Sequence, residues 1–204
     1  MRIGVCFFGR IKYFDKKYLL NSFGSEYEYN FFYSGDNEPE ELVAEFQKMY
    51  NPIDMNNDKI VYDIDFGIYP TFKISPANIN NMTCHFINKK RVFRLLEEHC
   101  NITKKSYDII ISCRFDSYMD KYSPEFPLPH TIYIPHGQDW CGINDQFAYG
   151  DFETMKQYMN IYDNCKYLLE NKGCPLHPEH LNLYNIIDCL LNIQRINVHQ
   201  EIIR

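Results

Sequence analysis

One short segment, residues 107–113, limits the possible folds of this chain more than any other feature. Its centre is a run of three isoleucines that begins at Ile109. Apolar residues that follow one another without alternation are typical of a strand buried on both faces, as in a parallel sheet covered by helices. The segment therefore predicts the central strand of an α/β protein, and the polar residues Arg114 and Asp116 follow at its carboxyl end.

The rest of the chain alternates between strand and helix patterns, which predicts one α/β domain over residues 1–204 with a mostly parallel sheet flanked by helices. In the helix predicted at residues 85–100, Lys89 is assigned to the polar face. Short β-branched and aromatic runs predict further strands at Arg2–Phe8, residues 27–33, residues 59–65 and Thr131–Pro135. Apolar spacing and helix-start signals predict helices at residues 15–23, 38–50, 85–100, 151–171 and 177–191.

Composition and charge exclude several classes of protein. A chain of 204 residues with 45% hydrophobic and 24% charged residues is typical of a folded globular domain. Its net charge of −6 offers no basic field for a phosphate backbone, so nucleic acid is not an expected partner. No apolar run approaches the roughly 18 to 20 residues of a spanning helix. The eight cysteines contain no C-x-x-C pair. We therefore expect a cytoplasmic protein without a transmembrane segment.

Polar residues follow the first predicted strand at its carboxyl end, the edge at which ligands bind in open α/β sheets. Gly9 allows the backbone to approach a ligand closely, and Arg10 offers a planar fork of donors to a diphosphate or to the edge of a base. An ordinary turn at the end of a strand explains the same two residues equally well.

Two later segments add polar side chains that are expected at the same edge. The loop after Thr131–Pro135 carries Asn144, Asp145 and Gln146, and His177 precedes a predicted helix start. Carboxylates with an amide and a histidine suit a divalent cation and a phosphorylated ligand, because hard cations prefer carboxylate oxygens.

These polar segments resemble a known family over nearly the whole chain. They are similar to segments of the small GT-A-type glycosyltransferases and glycosyltransferase-like proteins of large DNA viruses and some bacteria. The segments are RIGVCFFGR at residues 2–10, YDIIISCRFD at 107–116, GINDQFAYG at 142–150 and HPE at 177–179. The resemblance implies a GT-A-like, Rossmann-related mixed sheet. It also implies transfer of a sugar from a nucleotide-diphosphate donor to a glycan or another hydroxyl acceptor.

The resemblance also implies a metal ion, Mn²⁺ or Mg²⁺, held against the donor diphosphate by an acidic motif at a strand end, often Asp-x-Asp. Here only Asp116 of that motif remains, and His177 is the second expected ligand. A literal Asp-x-Asp at Asp63 and Asp65 stays open as an alternative metal site. The residues expected to bind the donor are Gly9, Arg10, Arg114, Asp116, Asn144 and Gln146.

Asp145 is the candidate catalytic residue. In an inverting enzyme it takes the proton of the acceptor hydroxyl, and in a retaining enzyme it steadies the positively charged sugar carbon. Trp140 and Tyr149 are candidates for stacking on a sugar. Each of these residues also has a plainer interpretation: residues 144–150 as a turn into the next helix, Arg114 with Asp116 as a surface ion pair, and His177 as a structural histidine.

Two other functions remain open from the sequence. The loss of one carboxylate from the acidic motif favours a non-catalytic module that binds a nucleotide sugar or a glycan. A metal-dependent phosphoesterase is less well supported, because it normally needs more clustered histidine and aspartate than this chain offers.

Overall fold

Seven strands form one sheet in the computed structural model, which describes residues 1–11, 22, 23, 26–71 and 78–202. Two further strands in these ranges form a small ribbon, β5 with β9. The strands are β1 (Arg2–Phe8), β2 (Glu28–Ser34), β3 (Asp54–Asn56), β4 (Ile109–Arg114), β5 (Ser117–Met119), β6 (Thr131–Pro135), β7 (Phe147–Gly150), β8 (Asn192–Ile196) and β9 (Gln200–Ile202). The helices are α1 (Glu40–Tyr50), α2 (Ile79–Thr103), α3 (Phe152–Met159), α4 (Ile161–Asn171) and α5 (Pro178–Asp188), with a 3₁₀ turn at Phe66–Ile68.

The order of the strands across the sheet is β3-β2-β1-β4-β7-β6-β8. Every neighbouring pair is parallel except the two pairs that involve β7. The chain leaves β1 toward one edge and leaves β4 toward the other, so the order reverses between these two strands. In open α/β sheets a ligand binds at such a reversal, outside the carboxyl ends of the strands. The α/β class with a mixed, mostly parallel sheet is confirmed.

Both faces of the central strands are buried under helices, as the run of isoleucines predicted. Ile109 and Ile111 pack in one core with Phe46 of α1, whereas Ile110 packs in a second core with Val92 of α2. All three isoleucines are 0% exposed. Because alternate residues of a strand point to opposite faces, one short apolar run can supply both cores.

Helix α2 lies close to the sheet at one glycine. A Cβ added to Gly4 on β1 would lie 2.5 Å from Cδ1 of Leu96. The absence of a side chain at this position lets the helix approach β1.

The structure corrects several element boundaries. Residues 59–65 are not a strand; β3 lies earlier in the chain and pairs with β2. The helix predicted at 151–171 is divided at Asn160, whose side chain donates to the carbonyl of Lys156 over 2.8 Å. The helix predicted at 15–23 falls almost entirely outside the described residues.

Two strands of the sheet, β7 and β8, were missed by the sequence analysis. No helix in the described part of the chain combines the length and the apolar character needed to cross a bilayer.

Candidate functional site

The reversal between β1 and β4 brings the first two polar groups together. Phe8 and Arg114 are partners in the parallel pairing of these strands, and the amide of Phe115 donates to the carbonyl of Phe8 over 2.9 Å. Gly9 follows with φ +107°, a conformation that favours glycine, and a Cβ added there would meet no described residue within 4 Å. Within the described part of the chain, the end of β1 therefore leaves space next to Arg114.

The antiparallel direction of β7 carries the second loop to the same edge. Because β7 runs against β4, the residues just before it lie beside the end of β4. The amide of Arg114 donates to the carbonyl of Gln146 over 2.8 Å, which fixes this arrangement. Asp145 is thereby placed at the carboxyl edge of the central strand.

Arg114 and Asp116 form a bidentate ion pair. Nε of Arg114 donates to Oδ1 of Asp116 over 2.9 Å, and Nη2 donates to Oδ2 over 2.7 Å. The Asp116 side chain is 9% exposed and that of Arg114 is 25% exposed. The pair is therefore largely buried rather than a surface pair, and Arg114 is the member that reaches solvent.

Asp145 is a buried carboxylate among charged and titratable groups. Burial raises its pKa, while the positive charges of Arg114 and Lys89 act in the opposite direction. Nε2 of His85 lies 3.3 Å from Oδ2 of Asp145, without the alignment of a hydrogen bond. Burial, with the charges of Lys89 and Arg114, holds the pKa of His85 well below its usual value, which favours the neutral imidazole.

The start of α5 lies against the loop that carries Asp145. The amide of Ile143 donates to the carbonyl of Glu179 over 3.1 Å, and Gly142 is so close to α5 that an added Cβ would lie 2.3 Å from the Glu179 carbonyl group. Burial, and after it the negative charge of Asp145, raise the pKa of Glu179 to about 8. His177 begins this helix, and its Nδ1 lies 2.8 Å from Oε2 of Glu179.

The sequence analysis missed two residues of this site, both on α2. Lys89 was assigned to a polar face, but it is 0% exposed because α3 and α5 cover it. Its Nζ donates to Oδ1 of Asn182 over 3.0 Å and lies 3.9 Å from the centre of the Tyr158 ring. His85 is four residues earlier on the same helical face, a spacing that could have linked the two.

Asn144 shapes its own loop. Its side-chain nitrogen donates to the carbonyl of Gly137 over 3.1 Å, and its side-chain oxygen accepts from the amide of Gln146 over 2.9 Å. Gln146 is 2% exposed, and among the described residues its Oε1 has no hydrogen-bond partner. Of the two amides, Gln146 is therefore the one with an unused acceptor.

The two aromatic candidates differ sharply in exposure. Trp140 is 56% exposed in the loop before Asn144, with φ +42°. Tyr149 is 1% exposed in β7, where its ring stacks on Tyr133 at 4.5 Å and its hydroxyl accepts from Tyr122 over 2.9 Å. Burial between strands and core gives Tyr149 a packing role, which corrects its assignment as a sugar-stacking residue.

The loop that carries Trp140 holds unusual backbone angles. Gln138, Trp140 and Cys141 all have positive φ although none is glycine. Such residues are uncommon and cluster at functional sites, where the surrounding structure stabilises them. The remaining donor candidate, Arg10, is exposed beyond Gly9, and its charge acts on Tyr62.

The described residues do not fit the metal site that the resemblance implies. Among them, no group of three or more histidine, cysteine, aspartate or glutamate side chains is arranged to hold an ion. Both oxygens of Asp116 accept from Arg114, and the imidazole of His177 contacts Glu179.

Both aspartates of the alternative Asp-x-Asp motif accept hydrogen bonds from other groups of the protein. Asp63 accepts from the hydroxyl of Tyr162, and Asp65 caps the 3₁₀ turn by accepting from the amide of Gly67 over 2.9 Å. Neither aspartate follows a strand.

A surface depression of about 420 Å³ lies at the opposite, amino edge of the sheet. Its charged groups already pair with one another, as in the contact of 3.1 Å between Arg2 and Glu28. Ligands of parallel sheets bind at the carboxyl edge, so this depression is not the candidate site. It is lined by Met1, Arg2, Glu26, Glu28, Ser106 and Asp108.

No protein-family model matches the chain, and no curated protein matches it either.

Proposed function

We propose that this protein is a glycosyltransferase that moves a sugar from a nucleotide-diphosphate donor to a glycan or another hydroxyl acceptor. One observation carries the proposal. A buried carboxylate, Asp145, lies in the positive field of Arg114 and Lys89 at the reversal point of the sheet, where no described residue fills the Cβ position of Gly9.

Each group has a task in this reaction. Asp145 takes the proton of the acceptor hydroxyl while the acceptor oxygen forms its bond to the sugar carbon. The bond from that carbon to the donor phosphate breaks, and its electron pair leaves with the diphosphate. Burial raises the pKa of Asp145, which makes it a stronger base than an exposed aspartate. Arg114 stabilises the negative charge on the departing diphosphate. No step is assigned to a metal ion.

Trp140 is the proposed sugar-stacking residue, since its ring is exposed on the loop that precedes Asp145. A cytoplasmic location is part of the proposal. It is supported by the free thiols at all eight cysteines, which are maintained in reducing compartments.

A binding module without catalysis is the second candidate. It is favoured by the ion pair between Arg114 and Asp116, which occupies both carboxylate oxygens of Asp116. Such a site can hold a diphosphate without activating an acceptor.

The variant Asp145→Asn separates the two candidates. It should keep affinity for the donor, measured by calorimetry, and lower turnover of a panel of nucleotide sugars by about two to four orders of magnitude, as expected for a positioned base. Asp63→Asn is the control, because this aspartate lies on a different segment, and it should change neither quantity. Equal losses of binding and rate would assign Asp145 to donor contact. Donor binding without turnover in the parent protein would support the binding module.

A further inference from the structure

We infer that Arg114 takes the place of a divalent cation, so that a diphosphate binds at the end of β4 without metal. The inference rests on the proposed function for the identity of the ligand as a diphosphate. It does not depend on whether the sugar is then transferred.

The geometry of Arg114 suits a phosphate ligand. A guanidinium group has five N–H donors, and Asp116 accepts from two of them, one on Nε and one on Nη2. Among the described residues Nη1 has no hydrogen-bond partner, and the side chain is 25% exposed. The bidentate pair fixes the plane of the guanidinium, so the remaining donors are held in place before a ligand arrives.

The surroundings of Arg114 offer both space and a second contact. Gly9 directly follows Phe8, the partner of Arg114 in the sheet, and has no side chain that would block the approach of a phosphate. Gln146, the residue just before β7, lies beside Arg114, and its Oε1 is buried without a partner in the described residues. A buried acceptor without a partner is costly, so it points to a donor supplied from outside the chain. The hydroxyl groups of a nucleotide or sugar are such donors.

The same geometry disfavours a divalent cation. An ion bound to Asp116 would have to displace Arg114 from both carboxylate oxygens. The guanidinium of Arg114 already acts on the carboxylate of Asp145 and would repel the ion. The charge that a metal would supply to a diphosphate is thus already built into the chain.

Calorimetry with uridine diphosphate, guanosine diphosphate and inorganic pyrophosphate tests the inference. Each is titrated in EDTA, in Mn²⁺ and in Mg²⁺. At least one should bind in EDTA with an affinity within about twofold of that with metal. Arg114→Met should lower this affinity by about 10- to 100-fold, the usual effect of losing charge-assisted hydrogen bonds.

Two further variants separate a specific effect of the Arg114 guanidinium from a general loss of folding. Arg114→Lys keeps the positive charge but not the planar set of N–H donors, and it should bind the diphosphate with intermediate affinity. Asp116→Asn loses one of the two acceptors that orient Arg114, so it should still bind in EDTA, about 10-fold more weakly at most, whereas a metal site built on Asp116 would be lost. Arg91→Met is the matched control, because Arg91 donates to the carbonyl of Asp58 instead, and it should bind like the parent. Circular dichroism is used to check that each variant is folded.

The outcomes are distinct. Binding that requires metal, loss of binding in folded Asp116→Asn, or unchanged binding in Arg114→Met would each overturn the inference. Failure of all three probes to bind under any condition would overturn it too, and the transfer assay would then judge the proposed function separately. Binding in EDTA without turnover of any nucleotide sugar would uphold the inference and reject the glycosyltransferase.

Discussion

The substitution Gly142→Ala tests how the site is assembled, because Gly142 lies where the loop that carries Asp145 meets α5. The new Cβ would lie 2.3 Å from the carbonyl carbon and oxygen of Glu179 and 2.6 Å from the amide nitrogen of His180. These are backbone atoms, so no rotamer change can relieve the overlap. To reach ordinary contact distance, the loop and the helix must separate by about 1 Å.

The magnitude follows from this displacement. Overpacking of this kind lowers the free energy of unfolding by about 1–3 kcal/mol, which for a domain of this size lowers Tm by about 2–12 °C. The shift also moves Glu179 away from Asp145, and a displacement of about 1 Å at a reacting group can lower turnover by roughly 100-fold. Urea denaturation measures the first effect, and the nucleotide-sugar assay measures the second.

Gly137→Ala is the control in the same loop. Gly137 has φ +84°, and no described residue lies within 4 Å of its Cβ position, so alanine there is strained without touching α5. It should lower stability by about 1 kcal/mol and leave turnover within a few-fold of the parent. If Gly142→Ala unfolds with a free energy within about 0.5 kcal/mol of the parent, the close contact between loop and helix is not as described and the argument fails.

Two further predictions concern Lys89 and Trp140. Burial lowers the pKa of Lys89 from 10.5 to about 7, so between these values the unfolded chain binds a proton that the folded chain does not, and stability gains roughly 1.4 kcal/mol per pH unit from this group. In urea denaturation, the parent should therefore gain stability relative to Lys89→Met as pH rises above 7. The control Lys90→Met, which removes a partly exposed ion pair with Asp163, should show the same pH dependence as the parent. Parallel stability curves for the parent and Lys89→Met would contradict the burial of the charge. Trp140 is the only tryptophan in the chain, so its fluorescence should change more with a nucleotide sugar than with the corresponding nucleoside diphosphate. Trp140→Leu should lower the affinity for the nucleotide sugar by about 2- to 10-fold. Equal responses to both ligands would show that Trp140 does not contact the sugar.

Local pattern was enough to predict the frame of this fold. Ile109 and its two neighbours required a strand covered on both faces, and the polar residues after β1 and β4 could be assigned to the ends of strands. These features depend on the periodicity and chemistry of adjacent residues, so they can be identified without knowledge of distant contacts. The turn conformation of Gly9 belongs to the same class.

Other features depended on which distant segments meet. Only the antiparallel entry of β7 between β4 and β6 places Asp145 beside Arg114, and it also buries Tyr149 against Tyr133. Lys89 follows a pattern typical of an exposed helical face, yet α3 and α5 cover it. Helical periodicity specifies which side chains share a face, but not whether another helix packs on that face. The sequence by itself therefore determined the central strands and their polar ends, and the tertiary structure decided which charges lie together, because strand order and helix packing join residues far apart in the chain.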